Sequence, residues 1–254
     1  MTKKIIKKII SCLPFINKIA IFVVNKNKLL PQIITTHSGT EIKKNFMLPE
    51  SDHYTQLNQD FFALMINGFK KELFFIEIGA NDGFNLSNTY YLENHFKWKG
   101  ILVEPNPRYN ESLKKRKSKH INIAISDKIG EIKFADAGLY GGGLNNLDTA
   151  HKNKLEKSQV ITVPTNTLLS LFNDNTPRRI DYISIDVEGA EIEILKQFDS
   201  LPKDIRFSCG TIEHNNRTED INKITTILNK NNYKIIWSNK TGHDLFFVDN
   251  DFQH

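Results

Sequence analysis

Short apolar runs and amphipathic segments alternate along most of the chain. The apolar runs are bounded by polar or turn-forming residues and predict buried strands at 74–78, 101–104, 121–125, 182–187 and 207–213. Segments with helical spacing of apolar residues predict helices at 52–69, 87–95, 108–116, 167–172, 190–197 and 219–229. Repeated strand–helix–strand units are typical of an α/β fold, so we expect a doubly wound, mostly parallel sheet with helices on both faces.

Two predicted antiparallel features interrupt this succession. Segments 131–135 and 160–163 form a hairpin-like pair around a polar loop, and 233–237 and 244–248 form a terminal antiparallel pair. The loop at 136–159 carries four glycines and is longer than a plain connection needs. We predict that it is a lid or substrate loop, with an excursion that has no function as the alternative.

The first 55 residues are predicted to form a basic N-terminal extension to a domain at 56–254. Ile5, Ile6, Ile9, Ile10 and Leu13 fall on one face of a predicted helix, and lysines at positions 3, 4, 7 and 8 fall on the other. Such a helix rests on an anionic membrane through residues 1–25, or docks on its own domain or a partner subunit. Both interpretations stay open, and residues 25–55 indicate a linker or cap.

Composition narrows the class of protein. The 254 residues are 39% hydrophobic and 25% charged, which is typical of a soluble globular chain. The net charge of +5 is uneven, because residues 1–50 hold nine lysines and two glutamates while the remainder is slightly acidic. A near-neutral domain argues against a nucleic-acid partner. The two cysteines lie far apart and predict no disulfide framework, so we expect a cytoplasmic protein, with peripheral contact at the inner membrane face as an open addition.

The turn after the first predicted strand indicates a cofactor site. Glu77 lies near the strand end, and Gly79, Asn81 and Gly83 follow in the pattern G-x-N-x-G. The dinucleotide pattern G-x-G-x-x-G is not met, so a cofactor without a pyrophosphate, such as S-adenosylmethionine, fits better. Glu77 would then hold the methionine amino group, and Glu104, after the second strand, would hold the ribose hydroxyls.

The third predicted strand completes the expected cofactor site. Ser126 and Asp127 follow this strand and are predicted to meet the adenine amine.

Five segments in order carry a specific resemblance to a known family. They are Glu77-Ile-Gly-Ala-Asn-Asp-Gly, Ser87-Asn-Thr, Trp98-Lys-Gly-Ile-Leu-Val-Glu-Pro-Asn-Pro, Ala124-Ile-Ser-Asp and Ser184-Ile-Asp-Val-Glu-Gly-Ala-Glu. Together they resemble the FkbM family of S-adenosylmethionine-dependent methyltransferases over about residues 74–248. The resemblance implies the Rossmann-like class I methyltransferase sheet of seven strands, and O-methylation of a sugar, as a nucleotide-linked sugar or a cell-surface glycan. It also adds Ser87, Asn88, Pro105, Asn106 and Asp186 to the cofactor set.

Candidate catalytic residues follow the fourth and fifth predicted strands. Asp186 ends one, and Glu213 and His214 end the other, so all three are expected at the carboxyl edge of the sheet. Asp186 and Glu213 with a neighbour such as His214 would suit Mg²⁺ or another divalent cation, an arrangement similar to the metal site of catechol-type O-methyltransferases. Gly189 stands where those enzymes carry a basic side chain, which leaves His214 as the predicted general base. A metal-free mechanism stays open.

Three other functions remain as alternatives. A membrane-associated, catalytically inactive binding module would use the same fold, and an N-methyltransferase would act on a small amine. Methyltransferases that act on nucleic-acid amines carry a proline motif after the fourth strand, which the segment Ile185-Asp186-Val187-Glu188-Gly189 lacks. A nicotinamide-dependent oxidoreductase is disfavoured by the missing second glycine. The oligomeric state stays open.

Overall fold

The computed structural model describes residues 55–138, 141–143, 158–236 and 242–251, together with the backbone of two strands at 30–35 and 41–46. The chain divides into two compact units, residues 1–53 with 254, and residues 54–253. The predicted N-terminal helix, most of the loop at 136–159 and Trp237 lie outside the described residues. None of the described helices has the length and apolar character of a membrane span.

The described strands run in chain order as follows: β1 (Leu30–Thr35), β2 (Glu41–Phe46), β3 (Phe74–Ile78), β4 (Lys99–Val103), β5 (Lys119–Ile121), β6 (Ala124–Ile125), β7 (Gly130–Asp136), β8 (Gly142–Gly143), β9 (Gln159–Asn166), β10 (Arg179–Ile180), β11 (Tyr182–Ile185), β12 (Arg206–Phe207), β13 (Cys209–Glu213), β14 (Tyr233–Ile236) and β15 (Asp244–Asp249). The described α-helices are α1 (Gln59–Ile66), α2 (Tyr90–Phe96), α3 (Asn110–Leu113), α4 (Glu191–Lys196) and α5 (Thr218–Lys230), with 3₁₀ turns at Pro107–Tyr109, Leu168–Leu171 and Gln197–Ser200.

The first unit contains an antiparallel hairpin formed by β1 and β2. The sequence predicts a linker or cap over this stretch, and the structure adds that it contains this hairpin. The β-branched run Ile33-Ile34-Thr35 favours the extended backbone that the hairpin uses.

A seven-stranded sheet organises the second unit, in the order β14-β15-β13-β11-β3-β4-β5. The five strands from β13 to β5 are parallel, and β15 runs antiparallel to both of its neighbours, β13 and β14. The predicted terminal antiparallel pair is therefore present, and its last strand lies inside the sheet. The order changes direction at β3 and β11, the position where open α/β sheets bind ligands at their carboxyl ends.

Apolar side chains on the central strands form a continuous core. Ile76, Ile183 and Ile212 are fully buried on β3, β11 and β13, as a parallel sheet covered on both faces requires. Helices α4 and α5 add buried Ile194 and Ile224 to the same cluster. This core holds the carboxyl ends of the strands in fixed positions.

The predicted strand at 121–125 is divided between two sheets. β5 completes the seven-stranded sheet, whereas β6 pairs with β9 in a separate four-stranded sheet of order β6-β9-β7-β8. The chain leaves the first sheet at Asn122, whose Nδ2 donates to the Glu104 carbonyl oxygen at 2.6 Å. The predicted hairpin-like pair is present as β7 and β9 in this second sheet.

Several predicted elements are shorter than expected. The predicted helix at 52–69 is limited to α1, because Asn58 adopts a left-handed backbone with φ of 61° immediately before it. The predicted helix at 108–116 is a 3₁₀ turn followed by the single turn α3. The strand at 207–213 is divided at Ser208, because β12 pairs with β10 and β13 pairs with β11.

Candidate active site

A cavity of about 370 Å³ opens at the carboxyl ends of β3, β4, β11 and β13. Its walls include ten of the residues predicted from sequence: Glu77, Gly79, Asn81, Ser87, Asn88, Glu104, Pro105, Asn106, Asp186 and Glu213. The topology brings these residues together although they are spread over more than half of the chain. The volume lies within the range of small-molecule sites.

The turn after β3 passes very close to the end of β11. Gly79 has φ of 90°, and a Cβ atom at this position would lie 1.7 Å from the Asp186 carbonyl oxygen. Asn81 has φ of 51°, a left-handed backbone that asparagine tolerates better than most residues. The Gly79 and Ala80 N–H groups donate to the Val103 carbonyl oxygen on β4. The glycine in this motif is therefore required for the three strand ends to meet.

Glu77 is directed into the connection between β3 and α2. Its buried carboxylate accepts hydrogen bonds from the Ser87 hydroxyl, the Asn88 N–H at 2.7 Å and the Thr89 hydroxyl at 2.6 Å. Burial raises the pKa of Glu77, and the charge of Arg116 and these hydrogen bonds oppose that rise. Glu77 also lines the cavity, and in this structure its carboxylate holds the cavity wall in place.

Glu104 lies at the end of β4 and contacts the turn after β3. Its carboxylate accepts the Asn81 N–H at 2.9 Å and the Asn106 N–H at 2.8 Å. Burial raises the pKa of Glu104 to about 7 despite these two donors. Each carboxylate oxygen retains a lone pair, so Glu104 can accept two hydroxyl groups from the cavity side.

Three carboxyl groups meet on the opposite wall of the cavity. Asp186, Glu188 and Glu213 each place a carboxylate oxygen within 4.8 Å of the others. Asp186 and Glu213 share a hydrogen bond, and within the described part of the chain one buried oxygen of Glu213 has no donor. The Asp186 side chain lines the cavity and is exposed to solvent there.

This acidic cluster holds protons near neutral pH. Desolvation and the charge of Glu213 raise the pKa of Asp186 well above its ordinary value. Desolvation and the charge of Glu188 raise the pKa of Glu213 to about 8. Carboxyl groups this close cannot all ionise without a bound cation, so Asp186 and Glu213 share a proton at neutral pH.

Glu191 shapes the backbone that carries the cluster. Its buried carboxylate accepts the Val187 N–H at 3.1 Å and the Gly189 N–H at 3.0 Å. Between them, Glu188 adopts φ of 57°, a conformation that is rare for glutamate. The sequence places Glu188 at the strand end without assigning it a role, because nothing in the sequence indicates a left-handed backbone at this position.

His214 lies next to the cluster in sequence and does not belong to the cavity wall as described. The ring is almost fully buried, and its Nδ1 accepts the Asn216 N–H at 3.0 Å. Burial lowers the pKa of His214, so the imidazole is neutral at neutral pH. The structure therefore places Glu188, and not His214, with Asp186 and Glu213.

Ser126 and Asp127 also lie outside the described cavity wall. The Ser126 hydroxyl and the Asp127 N–H both donate to the same carboxylate oxygen of Glu193 on α4, at 2.8 and 3.1 Å. Their predicted position depended on an unbroken third strand, and the division between β5 and β6 moves them into the second sheet. Gly83 also lies outside the described cavity wall, and its carbonyl oxygen accepts a hydrogen bond from Arg116.

Other wall residues carry no recognisable sequence signal. Tyr109, Phe134, Asn215 and His243 line the cavity from four different segments. The Asn216 side chain bonds His243 Nδ1 at 3.0 Å, which fixes this imidazole near the acidic cluster. These residues are far apart in sequence, and only the sheet order brings them to one place.

Comparison with known proteins identifies the family. The Methyltransferase FkbM domain matches residues 77–235, which is more than half of the chain. The chain belongs to the FkbM methyltransferase family. This FkbM methyltransferase has the Rossmann-like class I fold and is S-adenosylmethionine-dependent. No curated protein matches it.

Solved structures provide more distant comparisons. The N-terminal domain of human METTL16 is 12% identical with a TM-score of 0.44, over 81% of this chain and 75% of that chain. A methyltransferase from Pyrococcus furiosus is 11% identical with a TM-score of 0.42, over 80% of this chain and 88% of that chain. The human methyltransferase 10 domain containing protein is 10% identical with a TM-score of 0.44, over 81% and 88%.

The cavity of this FkbM methyltransferase fits its cofactor. Among the described residues, the buried Asn81 Oδ1 has no hydrogen-bond partner, and it lies beside Glu104 on the wall. Gly79 leaves open the space that a side chain would fill. Acceptors at Glu104 and Asn81 suit the hydroxyl and amino groups of a nucleoside and an amino acid.

Proposed function

We propose that this methyltransferase acts on a hydroxyl group of a sugar, carried by a nucleotide-linked sugar or a cell-surface glycan. The observation that supports this proposal is the cluster of Asp186, Glu188 and Glu213 on the cavity wall. A sugar hydroxyl is a weak nucleophile while it keeps its proton, so O-methylation requires a group that accepts that proton. The cluster supplies such a group at the reacting end of the cavity.

The cofactor would be held on the side of the cavity formed by β3 and β4. Glu104 would accept the ribose hydroxyls, and the backbone around Gly79 and Asn81 would enclose the amino-acid portion. Glu77, Ser87 and Asn88 would hold the wall in shape around it. When bound, S-adenosylmethionine supplies a methyl group that is already activated as a sulfonium.

Asp186 and Glu213 would manage the proton of the acceptor hydroxyl. The ionised carboxylate of the pair would accept this proton while the other keeps the shared proton, so the pair would be neutral after the transfer. Asn215 and His243 on the same wall offer polar groups that can orient neighbouring hydroxyls of a sugar. The acceptor oxygen would thereby be oriented and deprotonated at one location.

A divalent cation also fits this donor set. Three carboxylate oxygens within 4.8 Å of one another are hard ligands of the kind that Mg²⁺ and Ca²⁺ prefer. When bound, such a cation would lower the pKa of a coordinated hydroxyl. A bound cation would replace the proton shared by Asp186 and Glu213, and its ligands would be Asp186, Glu188 and Glu213, with His214 outside the set.

The general base is tested by comparing two variants in a methyl-transfer assay over sugar nucleotides. We expect Glu213→Gln to lower kcat by about 10²- to 10⁴-fold, the usual contribution of general acid–base catalysis. We expect His214→Ala to retain most of the activity, because the ring does not reach the described cavity wall. Affinity for S-adenosylhomocysteine, measured by calorimetry, should stay unchanged in Glu213→Gln.

The exposed acid Glu131 on β7 provides a matched control, because Glu131→Gln removes the same charge far from the cluster. Loss of turnover in His214→Ala with full turnover in Glu213→Gln would contradict the proposal and assign the base to His214.

Enzyme treated with a chelator and assayed with and without Mg²⁺ tests the cation. Full activity without divalent ions would show that the reaction needs no cation and would exclude the cation from the proposal.

The same assay separates the two alternative functions. Methylation of small amines in place of sugar hydroxyls would assign the protein as an N-methyltransferase. Binding of S-adenosylmethionine without transfer to any acceptor would favour an inactive binding module. Sedimentation with anionic vesicles, with and without residues 1–25, tests the proposed peripheral membrane contact, which equal sedimentation of both forms would exclude.

A further inference from the structure

A second cavity, of about 610 Å³, lies at the opposite edge of the seven-stranded sheet. Its walls include Phe74, Lys99 and Lys119, which begin or lie at the amino ends of β3, β4 and β5. The active-site cavity lies at the carboxyl ends of the same strands. A five-residue strand at about 3.3 Å per residue separates the two by roughly 15 Å. We refer to this second cavity as the basic groove.

Strand register brings the groove residues onto one face of the sheet. Phe74 pairs with Lys99, and Ile101 pairs with Lys119, in parallel ladders. Paired residues in neighbouring strands point to the same face, and so do residues two apart in one strand. Lys99 and Lys119 therefore share a face with Phe74 and Ile101, which provide an apolar floor between the two ammonium groups.

Two more lysines flank the same entry. Lys97 precedes buried Trp98, and Lys117 precedes buried Ser118, so each segment alternates exposed lysine with a buried residue. Among the described residues, no acidic side chain forms an ion pair with Lys97, Lys99, Lys117 or Lys119. The groove thus concentrates four positive charges on a domain whose overall charge is near neutral.

The one acid that lines the groove is already neutralised. Glu93 accepts hydrogen bonds from Arg116 Nε at 2.9 Å, from the Lys117 N–H at 3.0 Å and from the Ser118 N–H at 2.9 Å. Burial alone would raise the pKa of Glu93, but the charge of Arg116 and these donors lower it, so Glu93 is ionised and paired. Glu93 therefore balances the charge of Arg116, and it does not neutralise the four lysines of the groove.

Ser118 lines the groove beside Glu93. Its side chain is 7% exposed, and its hydroxyl is one of the groups that lower the pKa of Glu93 by hydrogen bonding. Asn173 and Asn175 add exposed amide groups to the rim.

We propose that the basic groove binds a phosphorylated ligand through Lys97, Lys99, Lys117 and Lys119. Ammonium and amide groups donate hydrogen bonds to phosphate oxygens, and the apolar floor suits the organic part of a phosphate ester. The volume suits a small molecule or the headgroup of a phospholipid. The position away from the active-site cavity makes this a site distinct from that of methyl transfer.

Calorimetry on the full chain tests the proposal, with pyrophosphate as the soluble probe. We expect Lys99→Ala/Lys119→Ala to weaken pyrophosphate binding by at least about tenfold, because two charge-assisted contacts are lost. The double variant Lys128→Ala/Lys203→Ala removes the same charge from exposed lysines elsewhere and should bind as the wild type does. Equal affinity of the two double variants would show general attraction to a positive surface and would overturn the proposal.

Sedimentation with phosphatidylglycerol vesicles distinguishes a headgroup from a free phosphate ester, since lysine-dependent sedimentation supports the former and soluble binding alone supports the latter. A single-stranded RNA that binds more tightly than pyrophosphate and displaces it would assign the groove to nucleic acid and contradict the proposal.

Discussion

Each acidic residue in the active-site cavity has its own partners, and those partners decide what it can do. The carboxylate of Glu77 is bonded to the wall, whereas Glu104 is bonded to two backbone N–H groups and retains lone pairs toward the cavity. Asp186 and Glu213 contact each other, and the pKa of each is raised. Acidic residues therefore stabilise the cavity wall at one position and retain hydrogen-bonding capacity toward the cavity at others.

The environment of Glu104 predicts that cofactor binding depends on pH. The pKa of this carboxyl is raised to about 7, so the free enzyme holds a proton there at lower pH. In the proposed complex the ribose hydroxyls would donate to the ionised form, so binding below about pH 7 would release that proton. We expect affinity for S-adenosylhomocysteine to fall as the pH drops below about 7, by up to about tenfold per pH unit. Calorimetry at pH 6 and pH 8 measures this change.

Glu104→Gln tests this explanation, because glutamine keeps the size of the side chain and lacks the carboxyl group that titrates. It should bind more weakly at pH 8 and show little difference between the two pH values. Equal affinity of the wild-type protein at both pH values would refute the ribose role of Glu104.

Sequence patterns predicted many of the residues in the cavity and missed those that depend on long-range pairing. Glu104 and Asp186 were predictable because acids that end apolar strands meet at the carboxyl edge of a parallel sheet. The division of the third predicted strand between two sheets could not be predicted, because it involves a hydrogen bond from Asn122 to the Glu104 carbonyl oxygen. The contact of Glu188 with Glu213 depends on a left-handed backbone that Glu191 stabilises, and no local pattern indicates it.

At the scale of elements, buried Arg116 connects the segment after α3 to the cavity wall. It donates to Glu93 at 2.9 Å, to the Ser87 hydroxyl at 3.2 Å and to the Thr89 hydroxyl at 3.1 Å. Ser87 and Thr89 in turn bond Glu77, so one cation supports the whole connection between β3 and α2. Its guanidinium has several donors in a fixed plane, which a lysine would not reproduce.

We expect Arg116→Ala to lower the free energy of unfolding by about 3–5 kcal/mol, because it leaves Glu93 buried without its partner. Urea denaturation measures the change. Arg178→Ala is the control, since Arg178 pairs with Asp204 at the surface, where an ion pair contributes about 0–1 kcal/mol. Similar losses in the two variants would contradict the supporting role of Arg116.

At the scale of the whole molecule, the second unit contains both the seven-stranded sheet and the active-site cavity. The family match also begins inside this unit, at residue 77. The family match and the described residues of the active-site cavity therefore both lie within residues 54–253.

Removal of residues 1–53 should leave a folded protein that binds S-adenosylhomocysteine. We expect the free energy of unfolding to change by no more than about 1 kcal/mol, which corresponds to ~3 °C in Tm. Thermal unfolding with and without S-adenosylhomocysteine measures both stability and binding. An insoluble product, or one that S-adenosylhomocysteine does not stabilise, would show that the two units depend on each other.

The position of β15 has a consequence for how the chain folds. β15 follows every other described strand in chain order, yet it lies between β13 and β14 and provides the ladder partner for both. Until it inserts, β13 has an open edge that can pair with another chain. A chain that is terminated before residue 244 would lack β15 and would leave this edge of β13 unpaired. We therefore expect such a chain to be prone to aggregate.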